Sequence, residues 1–153
     1  MSTNLMKGKR GLIMGLANDK SIAWGIAKAL ANAGAELAFS YQGDALKKRV
    51  DPLAESLGSK IVLPCDVSDM DSVDALFASL EKTWGQLDFI VHAIGFSNKN
   101  ELRGRYVDTS RENFLMSMDI SVYSFTAVVK RAAAMMPEGG SCLTLTYYGA
   151  EKV

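Results

Sequence analysis

Metal ligands, disulfide frameworks and membrane-spanning runs are scarce in this sequence. Its 153 residues include one histidine, two cysteines and three prolines. Cys65 and Cys142 lie far apart beside apolar runs and lack metal-ligand spacing, so we expect two reduced thiols in buried strands and no metal site. No run of about 18 apolar residues could span a bilayer, and the N-terminal segment MSTNLMKGKR lacks the apolar core of a signal peptide. We therefore expect a cytoplasmic protein that contacts no membrane.

The sequence also has no excess of positive or negative charge. The 17 lysine and arginine residues balance 17 aspartate and glutamate residues, which gives a formal net charge of +0. This balance provides no broad basic surface, so we expect no nucleic-acid partner and predict that any anionic ligand is held locally. The length suits a single domain over residues 1–153.

The first patterned stretch is a strand, a glycine turn and a helix between residues 11 and 34. Apolar residues at 12–14 predict a buried strand, and helical spacing predicts a helix over 21–33. The N-terminus of that helix would offer free N–H groups and the positive end of its dipole to a pyrophosphate. Gly15 would let the backbone approach such a ligand closely. The stretch therefore predicts a phosphate-binding turn.

Three other residues of this stretch bear on the same prediction. Ser21 is a good N-cap whose hydroxyl can also donate to a phosphate oxygen. Gly25 would let the helix pack tightly on the strand. Ala17, however, stands where the G-x-G-x-x-G fingerprint has its second glycine. A plain surface turn that uses glycine for its shape is therefore the alternative.

The rest of the chain alternates strands with helices. Apolar runs predict strands at 35–41, 60–64, 89–93 and 141–147. Helical spacing predicts helices at 44–57, 68–84 and 109–136. Pro52 predicts a kink or a fresh first turn inside the second helix. The polar, unpatterned segment at 96–108 is long enough to suggest a functional loop.

Two of these helices have predicted capping boxes. Ser68 with Asp71 would open the third helix, and Thr109 with Glu112 would open the fourth. We expect the fourth helix to be long and continuous. Its apolar side consists of Phe114, Met118, Val122, Phe125, Val129 and Met136.

Strict alternation of strands and helices predicts an α/β fold. The buried runs suit a Rossmann-like, doubly wound parallel sheet in strand order 3-2-1-4-5. In this order the first and fourth strands are neighbours at the point where the order reverses. Gly15, Asp66 and Gly95 would then lie at one crevice, which is where open α/β sheets bind ligands.

With these residues in place, the chain resembles the N-terminal part of bacterial NADH-dependent enoyl-acyl carrier protein reductases, in the short-chain dehydrogenase/reductase superfamily. The motifs follow the family order along nearly the whole chain. They are Gly15 with Ser21-Ile22-Ala23 and Gly25, ELAFSYQ at 36–42, Cys65-Asp66-Val67, His92-Ala93-Ile94-Gly95-Phe96, Asp119-Ile120-Ser121 with Tyr123-Ser124-Phe125, and Leu143-Thr144-Leu145-Thr146-Tyr147 before Gly149-Ala150-Glu151.

The resemblance implies a cofactor site whose residues contact three parts of the cofactor. The implied residues are Gly15, Ser21 and Ile22 at the pyrophosphate, Gln42, Asp66 and Val67 at the adenosine, and Ile94 and Gly95 at the nicotinamide. A carboxylate at Asp66 is an acceptor that matches the adenine amino group. The alternative for Asp66 is a solvated residue that precedes a helix.

On the substrate side the resemblance implies two further residues. Ser97 would open the substrate loop, and Tyr147 would be a catalytic residue beside the substrate and the nicotinamide. An aromatic side chain that closes a buried strand is the alternative for Tyr147. His92, the sole histidine, ends a buried strand and matches no catalytic position of the family, so we interpret it as structural.

The implied reaction is the reduction of trans-2-enoyl-acyl carrier protein to acyl-acyl carrier protein in fatty acid biosynthesis. Gln42 provides neither a carboxylate for a ribose 2′-hydroxyl nor an arginine for a 2′-phosphate. The resemblance favours NADH, because relatives that prefer NADPH tend to carry basic residues here. Lys47 and Lys48 lie nearby and keep NADPH open.

The resemblance also implies that the fold continues beyond residue 153. The family's second tyrosine and its lysine follow the fifth strand at spacings that this sequence does not reach, and the C-terminal strands are absent. We therefore expect a truncated domain that is inactive alone, with its fifth strand as an uncovered apolar edge. The family forms homo-oligomers, which implies a tetramer.

Two other functions stay open at this stage. A ketoacyl or alcohol dehydrogenase of the same superfamily usually has Asn-Asn-Ala-Gly after the fourth strand, where this chain has His92-Ala93-Ile94-Gly95. A non-catalytic dinucleotide-binding module would need only the first half of the fold.

Overall fold

Five parallel strands form one sheet in the computed structural model, which describes residues 4–152. The strands are β1 (Arg10–Met14), β2 (Glu36–Tyr41), β3 (Ile61–Pro64), β4 (Phe89–His92) and β5 (Ser141–Thr144). Their order is β3-β2-β1-β4-β5, and each adjacent pair is parallel. The predicted doubly wound topology is therefore confirmed.

Helices connect the strands. They are α1 (Ile22–Asn32), α2 (Asp44–Ser56), α3 (Met70–Trp84), α4 (Arg111–Met118) and α5 (Ser124–Ala134). A π-helical turn, Asp119–Tyr123, joins α4 to α5, and three short 3-10 turns lie at Lys99–Glu101, Tyr106–Asp108 and Tyr148–Ala150. None of the helices within residues 4–152 has the length and apolarity needed to cross a membrane.

The core lies in two layers, one on each face of the sheet. Leu12 and Met14 pack on one face with residues of α3 and α5, among them Leu76 and Val128. Ile13 points to the opposite face and packs among residues of α1 and α2. Successive residues of a strand alternate between faces, so one continuous apolar run fills both layers.

The predicted fourth helix differs most from the structure. Instead of one helix over 109–136, the π-helical turn separates α4 from α5. Phe114, Met118 and Val122, predicted on the apolar side, are 43%, 43% and 53% exposed. Within α4 only Asn113 is buried, whereas α5 packs against α3 and has four buried residues. Hydrophobic spacing identifies an apolar face but does not say what covers it.

Both predicted capping boxes are wrong by one residue. The N-cap of α3 is Asp69, which accepts a hydrogen bond from the Asp71 N–H at 3.0 Å. The N-cap of α4 is Ser110, whose hydroxyl accepts from the Asn113 N–H at 3.1 Å. Each helix start contains adjacent residues that can cap, and the backbone conformation of the loop decides which one does.

Three smaller predictions also need correction. Gly25 is exposed, and a Cβ there would meet open space, so it does not bring α1 close to a strand. α2 runs through Pro52 as one helix, so of the two predicted alternatives, a kink or a fresh first turn, the fresh first turn is wrong. Cys142 is exposed while Cys65 is buried, because β5 pairs only with β4 and all four of its residues are exposed. The apolar edge predicted for the fifth strand is present, but the strand ends at Thr144.

Candidate functional site

A cleft of about 460 Å³ lies at the carboxyl ends of β1 to β4. It occupies the point between β1 and β4 at which the strand order reverses. Six of the residues predicted for the cofactor line it, namely Gly15, Gln42, Asp66, Val67, Ile94 and Gly95. Ser21, Ile22, Ser97 and Tyr147 do not line it. The topology therefore brings most of the predicted cofactor residues together.

Gly15 has a structural reason to be glycine. Its φ angle is +89°, and a Cβ would lie 2.0 Å from the carbonyl oxygen of Ala93. The turn after β1 thus packs directly on the backbone at the end of β4. The prediction is that Gly15 lets a ligand approach the backbone closely. In the structure the backbone after the neighbouring strand β4 makes this close approach, and Gly15 lines the cleft.

Ser21 shapes that turn and does not cap the helix. It stands at the N-cap position of α1, yet its hydroxyl accepts from the N–H groups of Ala17 at 3.1 Å and Asn18 at 3.0 Å. The predicted capping bond is therefore wrong, because the loop N–H groups take the hydroxyl instead. Ile22 begins α1 and is 68% exposed. The Trp24 N–H donates to the Ser21 carbonyl at 3.0 Å, so the N–H groups of Ile22 and Ala23 are the ones at the start of α1 that could bind an anion.

Asp66 is the charged group of the cleft. One carboxylate oxygen accepts from the Ser68 hydroxyl at 2.7 Å and the Ser68 N–H at 3.0 Å. The other accepts from the Gln42 amide at 3.3 Å. The Ser68 hydroxyl, the Ser68 N–H and Gln42 together lower the pKa of the Asp66 carboxyl. Asp66 is therefore an ionised, oriented acceptor at neutral pH.

The basic residues near Gln42 do not line the cleft. Lys47 donates to Asp51 at 2.5 Å and stands 5.8 Å from the centre of the Tyr41 ring. Lys48 is exposed on α2. Gln42, the residue after β2, is thus a neutral polar side chain of the cleft.

The other end of the cleft is apolar and is formed by the chain after β4. Ile94, Gly95 and Phe96 line it together with Ile120 from the π-helical turn. The Ser121 hydroxyl accepts from the Phe96 N–H at 3.0 Å and stands 3.2 Å from the Phe96 carbonyl oxygen, to which it donates. Sequence analysis included Ile120 and Ser121 in a family motif but gave them no role in the site, since no local pattern relates a helix turn to a loop residue 25 positions away.

The two residues predicted for the substrate lie outside the cleft. The Ser97 hydroxyl bonds with the side chains of Asn113 at 3.3 Å and Ser117 at 2.9 Å, and so joins the loop to α4. Tyr147 follows β5 and is 85% exposed. The role of Tyr147 stays a prediction.

His92 ends β4 as a fully buried side chain, as its strand predicted. The Ser124 hydroxyl donates to the Ile120 carbonyl at 2.6 Å, so it must accept from His92 Nε2 at 2.8 Å. Nδ1 then accepts from the Thr144 hydroxyl at 3.2 Å. Burial lowers the pKa of His92. The ring is a neutral cross-link between β4, β5 and α5.

Cys65 is a cleft residue that sequence reasoning assigned to the core. It is both buried and part of the cleft lining. Burial, with a smaller contribution from Asp66, raises the pKa of its thiol to about 11. The thiol is therefore protonated and unreactive. No group of three or more His, Cys, Asp or Glu side chains in residues 4–152 is arranged to hold a metal ion.

A doubly wound parallel sheet with a glycine turn and a helix N-terminus at its switch point, and an oriented carboxylate after β3, is the arrangement typical of dinucleotide-binding α/β domains. A family model described as enoyl-(acyl carrier protein) reductase matches residues 15–153. The chain belongs to this family.

Curated relatives agree with this assignment. The chain is 66% identical over 152 residues to enoyl-[acyl-carrier-protein] reductase [NADH] 1 of Rhizobium meliloti, covering 99% of this chain and 56% of that protein. It is 52% identical over 153 residues to the NADH-dependent FabI of Rickettsia typhi, covering 100% of this chain and 59% of that protein. The chain thus spans little more than half the length of the curated relatives it matches.

Solved structures show the same relation. The enoyl-acyl carrier protein reductase of Anaplasma phagocytophilum in complex with NAD is 64% identical and superposes with a TM-score of 0.94, over 97% of this chain and 57% of that chain. The Bacillus cereus reductase, solved with NADP+ and an indole naphthyridinone, is 46% identical with a TM-score of 0.94, over 97% of this chain and 59% of that chain.

Proposed function

We propose that this chain forms the dinucleotide-binding part of an NADH-dependent reductase that converts trans-2-enoyl-acyl carrier protein to acyl-acyl carrier protein in fatty acid biosynthesis. When bound, NADH supplies the hydride that the β-carbon of the enoyl thioester accepts before the resulting enolate is protonated. The observation that carries the proposal is Asp66, held ionised by Ser68 and Gln42 in the cleft at the carboxyl ends of the strands. The family relation supports it.

The residues of the cleft fit such a cofactor. Asp66 would accept from the adenine amino group, with Val67 beside the ring, and Gln42 would lie near the adenosine ribose. Beside the cleft, the Ile22 N–H in the first turn of α1 would bind the pyrophosphate with Ser21 next to it, and Gly15 would let the backbone approach closely. Ile94 and Gly95 would lie against the nicotinamide. This division follows the polarity of the cleft, which is charged near Asp66 and apolar after β4.

The charges around Gln42 support NADH over NADPH. A 2′-phosphate needs a nearby basic group, and Lys47 is already paired with Asp51. Gln42 itself is neutral. The NADP+ in the Bacillus cereus structure shows that NADPH deserves a direct comparison.

On the substrate side, we propose that Ser97 and Tyr147 face the acyl carrier protein-bound enoyl group. The exposed phenol of Tyr147 is open to a substrate. His92 does not deliver the proton, because its ring is enclosed and both ring nitrogens are hydrogen bonded. The two free thiols suit a reducing, cytoplasmic location.

The proposal is tested by calorimetric titration of this chain with NADH, NADPH and 5′-AMP. Replacing the carboxylate in Asp66→Ala removes the acceptor, so we expect NADH and AMP affinity to fall about ten- to a hundredfold, the range for hydrogen bonds to charged groups. Asp71→Ala is the matched control, because Asp71 is an exposed acid on the first turn of α3. Equal affinity of Asp66→Ala and the unaltered chain would contradict the proposal.

A further inference from the structure

The π-helical turn between α4 and α5 is an unusual feature beside the cleft. It spans Asp119–Tyr123, and Ile120 from it lines the apolar end of the cleft. Such turns are rare and are often found at functional sites. The hydrogen bonds of the serines in and beside the turn show which parts of the chain it contacts.

Two serines connect the turn to β4 and to the loop that follows β4. Ser124 donates to the Ile120 carbonyl at 2.6 Å and accepts from His92, which anchors the turn to β4. Ser121 reaches the backbone after β4, where it accepts from the Phe96 N–H at 3.0 Å and donates to the Phe96 carbonyl at 3.2 Å. One hydroxyl thus bonds both backbone groups of Phe96.

These two hydrogen bonds to Phe96 lie beyond the last hydrogen bonds between β4 and β1. The ladder between β1 and β4 ends at His92, and the last bond beyond it joins the Ala93 N–H to the Met14 carbonyl at 3.0 Å. Phe96 lies three residues further on and is 56% exposed. A Cβ on Gly95 would stand 3.8 Å from the Ser121 hydroxyl, so Ser121 packs beside Gly95 without crowding it.

We propose that Ser121 is a positioning residue that holds the Gly95–Phe96 backbone in place for the nicotinamide half of the dinucleotide. This inference rests on the proposed function. Ser121 acts on the apolar end of the cleft only, since its hydroxyl is fully engaged with Phe96 and the adenosine end is formed by Gln42 and Asp66. Its loss should therefore affect the two halves of the cofactor unequally.

The experiment compares the unaltered chain with Ser121→Ala, Ser121→Thr and the control Ser79→Ala. Ser79 donates to the Ala75 carbonyl within α3, away from the cleft. The readouts are calorimetric affinity for NADH and for 5′-AMP, and hydrogen exchange of the Phe96 amide. AMP carries the adenosine half alone, so it reports the part of the cleft that Ser121 does not touch.

In Ser121→Ala we expect the Phe96 amide to exchange roughly three- to tenfold faster and NADH to bind roughly three- to tenfold more weakly, the effect of one ordinary hydrogen bond. AMP affinity should not change. Ser121→Thr retains the hydroxyl and should restore both values, while Ser79→Ala should match the unaltered chain.

Other outcomes overturn the proposal in distinguishable ways. Equal weakening of NADH and AMP would make Ser121 a residue of general stability. Faster Phe96 exchange with unchanged NADH affinity would show that the contact exists but positions nothing for the cofactor. Failure of the unaltered chain to bind either nucleotide would overturn the proposed function itself, and the proposal for Ser121 with it.

Discussion

At Gly15 the backbone of the turn after β1 packs directly against the backbone at the end of β4. Two features disfavour a side chain at this position. The φ angle is +89°, and a Cβ would lie 2.0 Å from the Ala93 carbonyl oxygen. The second obstacle is backbone and cannot rotate away. The residue therefore couples the turn that we propose to bind phosphate to the backbone at the end of β4, just before Ile94 and Gly95.

Gly15→Ala should lower the free energy of unfolding by about 3 kcal/mol, because left-handed strain and overpacking add. Gly58→Ala is the matched control, since Gly58 follows the end of α2 with a φ of +77° but open space around its Cβ, and left-handed strain alone should cost about 1 kcal/mol. Urea unfolding followed by circular dichroism measures both. Similar losses in the two variants would show that the Ala93 contact is unimportant.

At the scale of elements, His92 joins β4, β5 and α5 through hydrogen bonds that need a neutral ring. Burial lowers the pKa of His92 below its ordinary value of 6.5, so the unfolded chain binds a proton at a higher pH than the folded chain. Stability is therefore full above the unfolded pKa and is lost as pH falls through 6.5 towards the folded pKa.

We predict that the free energy of unfolding falls as the pH is lowered from about 7 to about 5, and that His92→Gln removes this fall. His92 is the sole histidine, so no other imidazole titrates in this window. Urea titrations at several pH values measure the slope. The same slope in both proteins would assign the pH dependence to carboxyl groups.

At the scale of the whole molecule, α4 and the π-helical turn present a large apolar surface, which we call the α4 face. It consists of Leu115, Met118, Val122 and Tyr123, each 43% to 54% exposed, around a shallow groove. Monomeric proteins rarely expose a continuous apolar patch of this kind. We propose that this face joins copies of the chain, which is consistent with the tetramer expected from the resemblance.

A charge in this face should weaken self-association. We expect Leu115→Glu to shift the chain to smaller species in size-exclusion chromatography with light scattering, because the carboxylate would have to be desolvated in the contact. Ala78→Glu places the same charge on an exposed position of α3 and should leave the assembly unchanged. If both variants assemble like the unaltered chain, the α4 face is not the contact.

The sequence by itself determined the strand order and the residues at the switch point. Buried runs that alternate with amphipathic helices allow few topologies, and the doubly wound order brings Gly15, Asp66 and Gly95 to one edge of the sheet. Local periodicity is sufficient for this, since burial and chain connectivity act on whole elements.

Only the tertiary structure decided which partner each polar side chain takes and which apolar face stays open. Ser21 bonds the turn instead of capping α1, and Ser121 bonds Phe96 across 25 residues. The apolar spacing of α4 predicted a helix face, yet that face is exposed. The physical reason is that hydrogen bonds and packing depend on angstrom-scale placement of residues distant in sequence, which no local pattern encodes.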